Sequence, residues 1–317
     1  MDDHTELLQD MANKAGEVVY RDPDGMFLTV KSNFVIPSGK HLIKGTINVP
    51  AGVIVEPERR GTVFLSHEPT EPCNCINMLK DSVFGYNTNG VISDLMIRGN
   101  NLSNYGIFGE AMNYNCDVLR NVVEKCKTGI YADVGVTSLI QRNICNKNRE
   151  YGIYMENMTC ARVENNRLQW NGKSGFYGTN DPEGFPFIGG FKFRDNECQY
   201  NTECGAEFYN VTDGLFEAND VEENQGLNAV IIQGRYNDTI NVGVVVKGAN
   251  RIYRSTALEN SNALCLRDLK DIVLEENSFD GKFTNAVNVE SIQQNTCRFI
   301  NEGNMFYGDI ANTIVGI

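Results

Sequence analysis

Four copies of one phrase dominate the chain. Tyr105-Gly106-Ile107-Phe108 returns as Thr128-Gly129-Ile130-Tyr131, Tyr151-Gly152-Ile153-Tyr154 and Ser174-Gly175-Phe176-Tyr177, with the glycines 23 residues apart each time. A constant period of this length specifies a solenoid, in which each coil buries its apolar side only against its neighbours. The 317 residues would otherwise suggest two globular domains, but a repeat array grows in one direction and escapes that expectation.

Asparagine marks the corners. Asn100, Asn121, Asn143 and Asn166 are followed by Asn196, Asn219, Asn250, Asn277 and Asn304, and a second series reads Asn148, Asn171, Asn201 and Asn224. Asparagine tolerates the left-handed backbone and bonds locally, so it suits a sharp bend between strands, and stacked amides can bond one another along the solenoid. Three short β runs per coil with Asn at the corners predict an all-β fold, a parallel sheet wound into a β-helix of about 10 coils. A leucine-rich horseshoe would need inner leucines and a helix in every repeat, and neither is present.

The opening differs. Asp3-His4-Thr5-Glu6 starts a helix that should end near Gly16, with Leu7, Leu8, Met11, Ala12 and Ala15 as its apolar stripe. Placed before the first coil, such a helix covers strand edges that would otherwise recruit other chains. The expected division is therefore residues 1–32 as capping helix and first strands, and 33–317 as β-helix. Residues 66–80 read as a surface excursion. The chain stops at Thr313-Ile314-Val315-Gly316-Ile317, an apolar strand that predicts cover from another chain or module.

Composition narrows the partners. A net charge of −13 argues against nucleic acid and anionic membranes, whose phosphates require clustered Lys and Arg. No run of about 18 apolar residues predicts a transmembrane helix, and Met1-Asp2-Asp3-His4 does not lead into a secretion signal. The ten cysteines lack disulfide or metal-knuckle spacing. Cys145 and Cys198 share a place with Val123, Leu168 and Val221, so they are expected as small interior hydrophobes and reduced thiols.

Strand, Asn turn, strand, loop and Gly-Ile-Tyr together resemble the right-handed parallel β-helix proteins of the pectate-lyase-like superfamily, which include phage tailspikes and capsule depolymerases. Asp2-Asp3-His4-Thr5-Glu6-Leu7 is similar to their capping helix. The resemblance implies a substrate groove on the outer face of the Gly-Ile-Tyr strand, a homotrimer, and a place on a virion or outside the cell, after synthesis in the cytoplasm without a signal peptide.

Alternation along that strand puts Ile107, Ile130, Ile153 and Phe176 inside and Phe108, Tyr131, Tyr154 and Tyr177 outside. Glu110, Asp133, Glu156 and Thr179 form the next outward column. Like charges in register are unfavourable unless a cation such as Ca²⁺, a shared proton or solvent screening offsets them. Carboxylates one coil apart approach the roughly 5 Å of a retaining glycosidase, and two coils apart, roughly 9.6 Å, suit an inverting one. Asp133 with Glu156, assisted by Glu110, is the expected catalytic set, with sugar rings against Phe108, Tyr131, Tyr154 and Tyr177. Trp170 and Tyr200 share a column that suits an opposite wall. The loop after Tyr177 would bring in Asp181 and Glu183. Its Asn180-Asp181-Pro182-Glu183 is similar to the Asp-Pro-His-Glu run of mannuronan epimerases but lacks the histidine, and that chemistry is not transferred. His4, His41 and His67 lie outside the groove strands, so histidine-based catalysis is not expected. Nor is the acidic and basic motif set of polygalacturonases present. No cofactor is required, and no metal ligands are assigned. The functions compatible with this reading are cleavage of a bacterial surface polysaccharide such as capsule or O-antigen, or non-catalytic glycan binding or a structural appendage.

Overall fold

The computed structural model describes residues 2–19, 32–180, 190–234, 243–290 and 298–316. The chain is a parallel β-solenoid of about ten coils, of the right-handed type, with three parallel sheets and one short helix near its N-terminus. It divides into two compact units, residues 1–155 and 156–317.

In the first unit the first sheet runs from Ser32–Ile36 to Leu139–Gln141, the second from Gly39–Ile43 to Ile144–Asn146, and the third from Ile47–Val49 to Ile153–Glu156. Every pairing is parallel, and equivalent residues fall in register: Ile107, Ile130 and Ile153 are mutual partners and fully buried. Gly129 is needed for this approach, since a Cβ there would meet the carbonyl oxygen of Gly152 at 2.6 Å. Residues 66–80 are less of an excursion than expected. Val63–His67 is a strand of the second sheet and Ile76–Met78 a strand of the third, so only the segment between them leaves the coil.

The helix spans Thr5–Gly16 and buries Leu8, Ala12 and Ala15, while Leu7, expected in its apolar stripe, is 56% exposed. Asp3 Oδ1 accepts from the Thr5 N–H (3.0 Å) and hydroxyl (2.6 Å). The Gln9 side chain then does what a neighbouring strand would do. Its amide accepts from Asn48 N–H (2.7 Å) and donates to Asn48 C=O (2.9 Å), closing the edge of the first third-sheet strand. Of the β runs expected after the helix, residues 17–20 and 26–30, residues 17–18 form a turn, residue 19 joins no strand, and the rest lie outside the described residues.

In the second unit the three sheets start at Arg162–Glu164, Arg167–Gln169 and Phe176–Thr179 and end at Arg298–Glu302, Met305–Phe306 and Asn312–Val315. Its interior is more aromatic: Phe176, Phe193, Phe208 and Phe216 are enclosed, with Phe176 and Phe208 ring centroids 4.9 Å apart. Cys198 pairs with Leu168 and Val221, as Cys145 pairs with Val123 in the first unit, and all five side chains are fully buried. Every described cysteine is free. Burial pushes the Cys126 thiol up to about 12 and those of Cys145 and Cys198 higher still, so they pack as small hydrophobes.

The asparagine corners differ from expectation in one respect. Left-handed φ belongs to the residue before the Asn at every named corner except Asn100, among them Arg120, Arg142, Asp195, Ala218, Trp170 and Tyr200. The Asn itself is buried and supplies hydrogen bonds. Asn196 Oδ1 accepts from the backbone N–H (3.0 Å) and side-chain amide (3.1 Å) of Asn166, and its own Nδ2 donates to Val163 C=O (2.8 Å). The same pattern links Asn196, Asn219, Asn250, Asn277 and Asn304 in the second unit, and Asn121 with Asn143 in the first. Asn100 does not head this series. Arg98 pairs with Glu124, which sets Asn100 at the corner of Cys126, and the place level with Asn121 is Leu95.

Asn196→Ala would orphan the Asn166 N–H and the Val163 C=O in the interior. A loss of about 3 kcal/mol is expected in urea unfolding, against about 1 kcal/mol for Asn304→Ala at a more exposed corner.

Candidate functional site

On the third sheet of the first unit, outward residues line up as Asn48, Asn77, Phe108, Tyr131 and Tyr154. Phe108, Tyr131 and Tyr154 are thus brought together as expected, but their rings largely face one another. Tyr131 stacks on Tyr105 (centroids 4.6 Å apart, 15° between planes) and on Phe108 (5.4 Å, 21°), and meets Tyr154 edge-on (5.0 Å, 84°). Tyr105 and Tyr151 were not singled out in the sequence because they precede the glycine of the repeated phrase. They share the alternation parity of the buried Ile107 and Ile153, yet both are only half-buried, and their rings reach Phe108, Tyr131 and Tyr154.

Glu110 and Asp133 follow the same strands. Glu110 N–H donates to Met78 C=O (2.9 Å) and Asp133 N–H to Gly109 C=O (3.0 Å), which sets the two acids on neighbouring coils. Lys80 supplies the offset for their charge. Its Nζ lies 3.0 Å from Glu110 Oε1 and its N–H donates to Oε2 (3.3 Å). The Lys80 ammonium is held above its ordinary value, first by the hydrogen bond to Glu110, and Asp133 contributes to the same field. The sequence concealed Lys80 because it follows a strand that reads as an excursion.

In the second unit the outward columns exchange character. Tyr177 pairs with Glu207, and Thr179 pairs with Tyr209. Glu207 is 7% exposed, accepts from the Ser174 hydroxyl, and accepts from the Tyr209 phenol at 2.7 Å. Tyr177 and Tyr209 rings lie 5.4 Å apart. Burial, the bond to Glu207 and its charge together push the Tyr209 phenol far above its ordinary value. Tyr177 is raised by burial first, then by the charge of Glu207 and then by that of Glu156. Glu207 stands six residues after Asn201, as Tyr177 stands six after Asn171, so the corner spacing carried the signal that the broken Gly-Ile-Tyr phrase hid.

Trp170 and Tyr200 do share a column. They stack at 4.3 Å and 7° on the corner after the second sheet and are 53% and 37% exposed. Asp181 and Glu183 lie outside the described residues. Among the described residues there is no group of three or more His, Cys, Asp or Glu that could hold a metal ion.

Glu207→Gln would remove the charge that keeps the Tyr177 and Tyr209 phenols protonated. Ultraviolet titration of tyrosinate should then show two phenols ionising at lower pH than in the parent protein.

Several solved structures share the fold. The A-module of the Azotobacter vinelandii mannuronan C-5 epimerase AlgE4 matches at 13% identity and TM-score 0.72, covering 100% of this chain and 94% of that one. A mutant tailspike of E. coli bacteriophage HK620, solved with a hexasaccharide, matches at 12% identity and TM-score 0.66. This chain is covered to 99% in that comparison and spans 63% of the tailspike chain. The Streptococcus pneumoniae surface adhesin PfbA matches at 11% identity and TM-score 0.50, covering 99% and 96%. At such identities the likeness is one of fold. No curated protein matches the chain in sequence. Residues 45–225, more than half of the chain, match the family model described as NosD, periplasmic copper-binding protein, and the chain belongs to that family.

Proposed function

We propose that the chain acts on a polysaccharide through the outer faces of its third-sheet strands. The reading is carried by the first unit, where Glu110 and Asp133 stand on successive coils beside a row of aromatic rings. Carboxylates on neighbouring parallel strands are at glycosidase spacing, and aromatic rings accept the apolar faces of sugars. The hexasaccharide of the tailspike and the mannuronan of the epimerase, both on this fold, support a glycan as ligand. The finer proposal is cleavage of a bacterial surface glycan such as capsule or O-antigen, by hydrolysis or elimination. Asp133 and Glu156 are its catalytic carboxylates and Glu110, ion-paired with Lys80, assists.

A second reading, non-catalytic glycan binding, is favoured by one observation. Glu110 is already ion-paired with Lys80.

The copper in the family's description does not fit the described residues. His67 is enclosed, and burial lowers it to about 4. Its Nδ1 meets Ser103 Oγ (2.8 Å) and its Nε2 lies 3.6 Å from Cys73 Sγ, a pair with no third donor. The proposed chemistry therefore runs without copper, and Ca²⁺ is not required for it. The family description and the tailspike likeness both support a place outside the cytosol, in the periplasm or on a virion.

A homotrimer completes the proposal. Its support is an apolar outward column on the first sheet of the second unit, where Leu215, Val245, Val273 and Ile300 are register partners and only half-buried.

Asp133→Asn and Glu156→Gln should each reduce release of new sugar ends at least about 100-fold while leaving retention on the polysaccharide intact. New absorbance of an unsaturated uronate identifies elimination, and its absence with new reducing ends identifies hydrolysis. Unchanged cleavage in both variants would remove the catalytic assignment. Light scattering should give the mass of three chains, and a monomer would remove the trimer.

A further inference from the structure

The second unit holds a pocket of about 680 Å³ at the corner that follows its second sheet, lined by Tyr200, Glu223, Gln225, Arg254, Ser255 and Thr256. In earlier coils this corner carries a left-handed residue followed by an asparagine, as in Tyr200-Asn201 and Glu223-Asn224. The next coil breaks the rule. Arg254 ends the strand Arg251–Arg254 and is followed by Ser255, so the amide ladder of this corner stops at Asn224.

Arg254 is 2% exposed. Its Nη2 donates to Gly226 C=O, and its Cζ lies 4.9 Å from the centre of the Phe283 ring. Nε and Nη1, which carry three of the five guanidinium N–H donors, are shut off from water and have no acceptor among the described residues. Glu223, which lines the same pocket, turns its carboxylate to the Ser255 N–H and hydroxyl at 3.0 to 3.2 Å. A guanidinium stays protonated even when buried, and a buried charge without an ionic partner is costly. The free donors are of the kind that bind planar oxyanions in a fork.

Tyr200 gives the pocket a second property. It forms one wall and stacks on Trp170, so an exposed aromatic platform adjoins the buried cation. Such platforms accept the apolar face of a sugar ring.

We propose that this pocket takes an oxyanion, a carboxylate or sulfate ester carried on a sugar ring, with Arg254 receiving the anion and Tyr200 the ring. The proposal rests on the glycan reading above and adds to it the charge of the sugar. It is distinct from the third-sheet carboxylates and uses none of them. The ligand reaches the guanidinium by displacing the Ser255–Thr256 side of the wall, which lies outside the strands.

Trp170 is the single tryptophan of the chain, which makes its fluorescence a local reporter. The full chain is titrated with galacturonate tetramer, with sulfated maltotetraose and with neutral maltotetraose, while equilibrium dialysis records total binding. At least one anionic oligomer should change Trp170 emission saturably, about ten-fold or more tighter than the neutral one, and added salt should weaken it. A response to one anion alone tells carboxylate from sulfate. Arg254→Met should abolish the preference while the melting temperature holds or rises, because a buried charge without a counter-ion is removed. Tyr200→Ala should weaken all responding oligomers together.

Equal affinity for neutral and anionic oligomers, or a preference that survives Arg254→Met, overturns the proposal. Dialysis that detects binding with Trp170 emission unchanged overturns it too, and leaves the third-sheet reading standing. Cleavage of a neutral glycan with no anionic binding here has the same outcome.

Discussion

The structure depends on a hydrogen bond that repeats from coil to coil. A parallel solenoid must turn its backbone sharply at every corner, and a sharp turn leaves amide and carbonyl groups facing inward without strand partners. The buried asparagines resolve this. Each accepts from the backbone and side chain of the coil before it and donates to a carbonyl further back. In the second unit, five such links join Asn166 to Asn304. Because every partner is another asparagine in register, a slip of one residue in any coil would break links on both sides of it. The ladder therefore fixes register as well as stability, and register is what turns sequence spacing into columns on the outer faces.

Charge on those faces is handled by different means in the two units. In the first, the acids of neighbouring coils share the field of one ammonium, and Lys80 holds Glu110 directly. In the second, Glu207 is enclosed and is held by two hydroxyls, from Ser174 and Tyr209, with no described cation at ion-pair distance. A carboxylate of the first kind is exposed to screening. Around one of the second kind, burial first and the charge of Glu207 after it make Tyr177 and Tyr209 hold their protons strongly.

The fold was legible because its two strongest signals, the 23-residue step and the corner asparagines, are imposed by geometry at every coil. The interior columns followed, including Cys145 and Cys198 among valines and leucines. Alternation also placed Phe108, Tyr131 and Tyr154 correctly. What stayed hidden depended on residues that the repeat does not mark. Lys80 belongs to a coil without the Gly-Ile-Tyr phrase. Glu207 replaces a tyrosine in a coil entered through a longer step. Arg254 stands where the second asparagine series ends, and an ending leaves no spacing to read. The left-handed residue was assigned to asparagine by its intrinsic tolerance. In the folded chain that residue takes the ladder position, and its predecessor absorbs the turn.

That last displacement has a consequence for how such a protein can change. Since the asparagine secures the bend, the residue before it carries an unusual backbone angle without being required to be any particular type. Arginine, lysine, aspartate, alanine, tryptophan and tyrosine all stand there. Each corner thus offers a projecting position whose chemistry is decoupled from the architecture beneath it. A lineage can rewrite the outer surface along these edges one coil at a time, and the scaffold need not register the change.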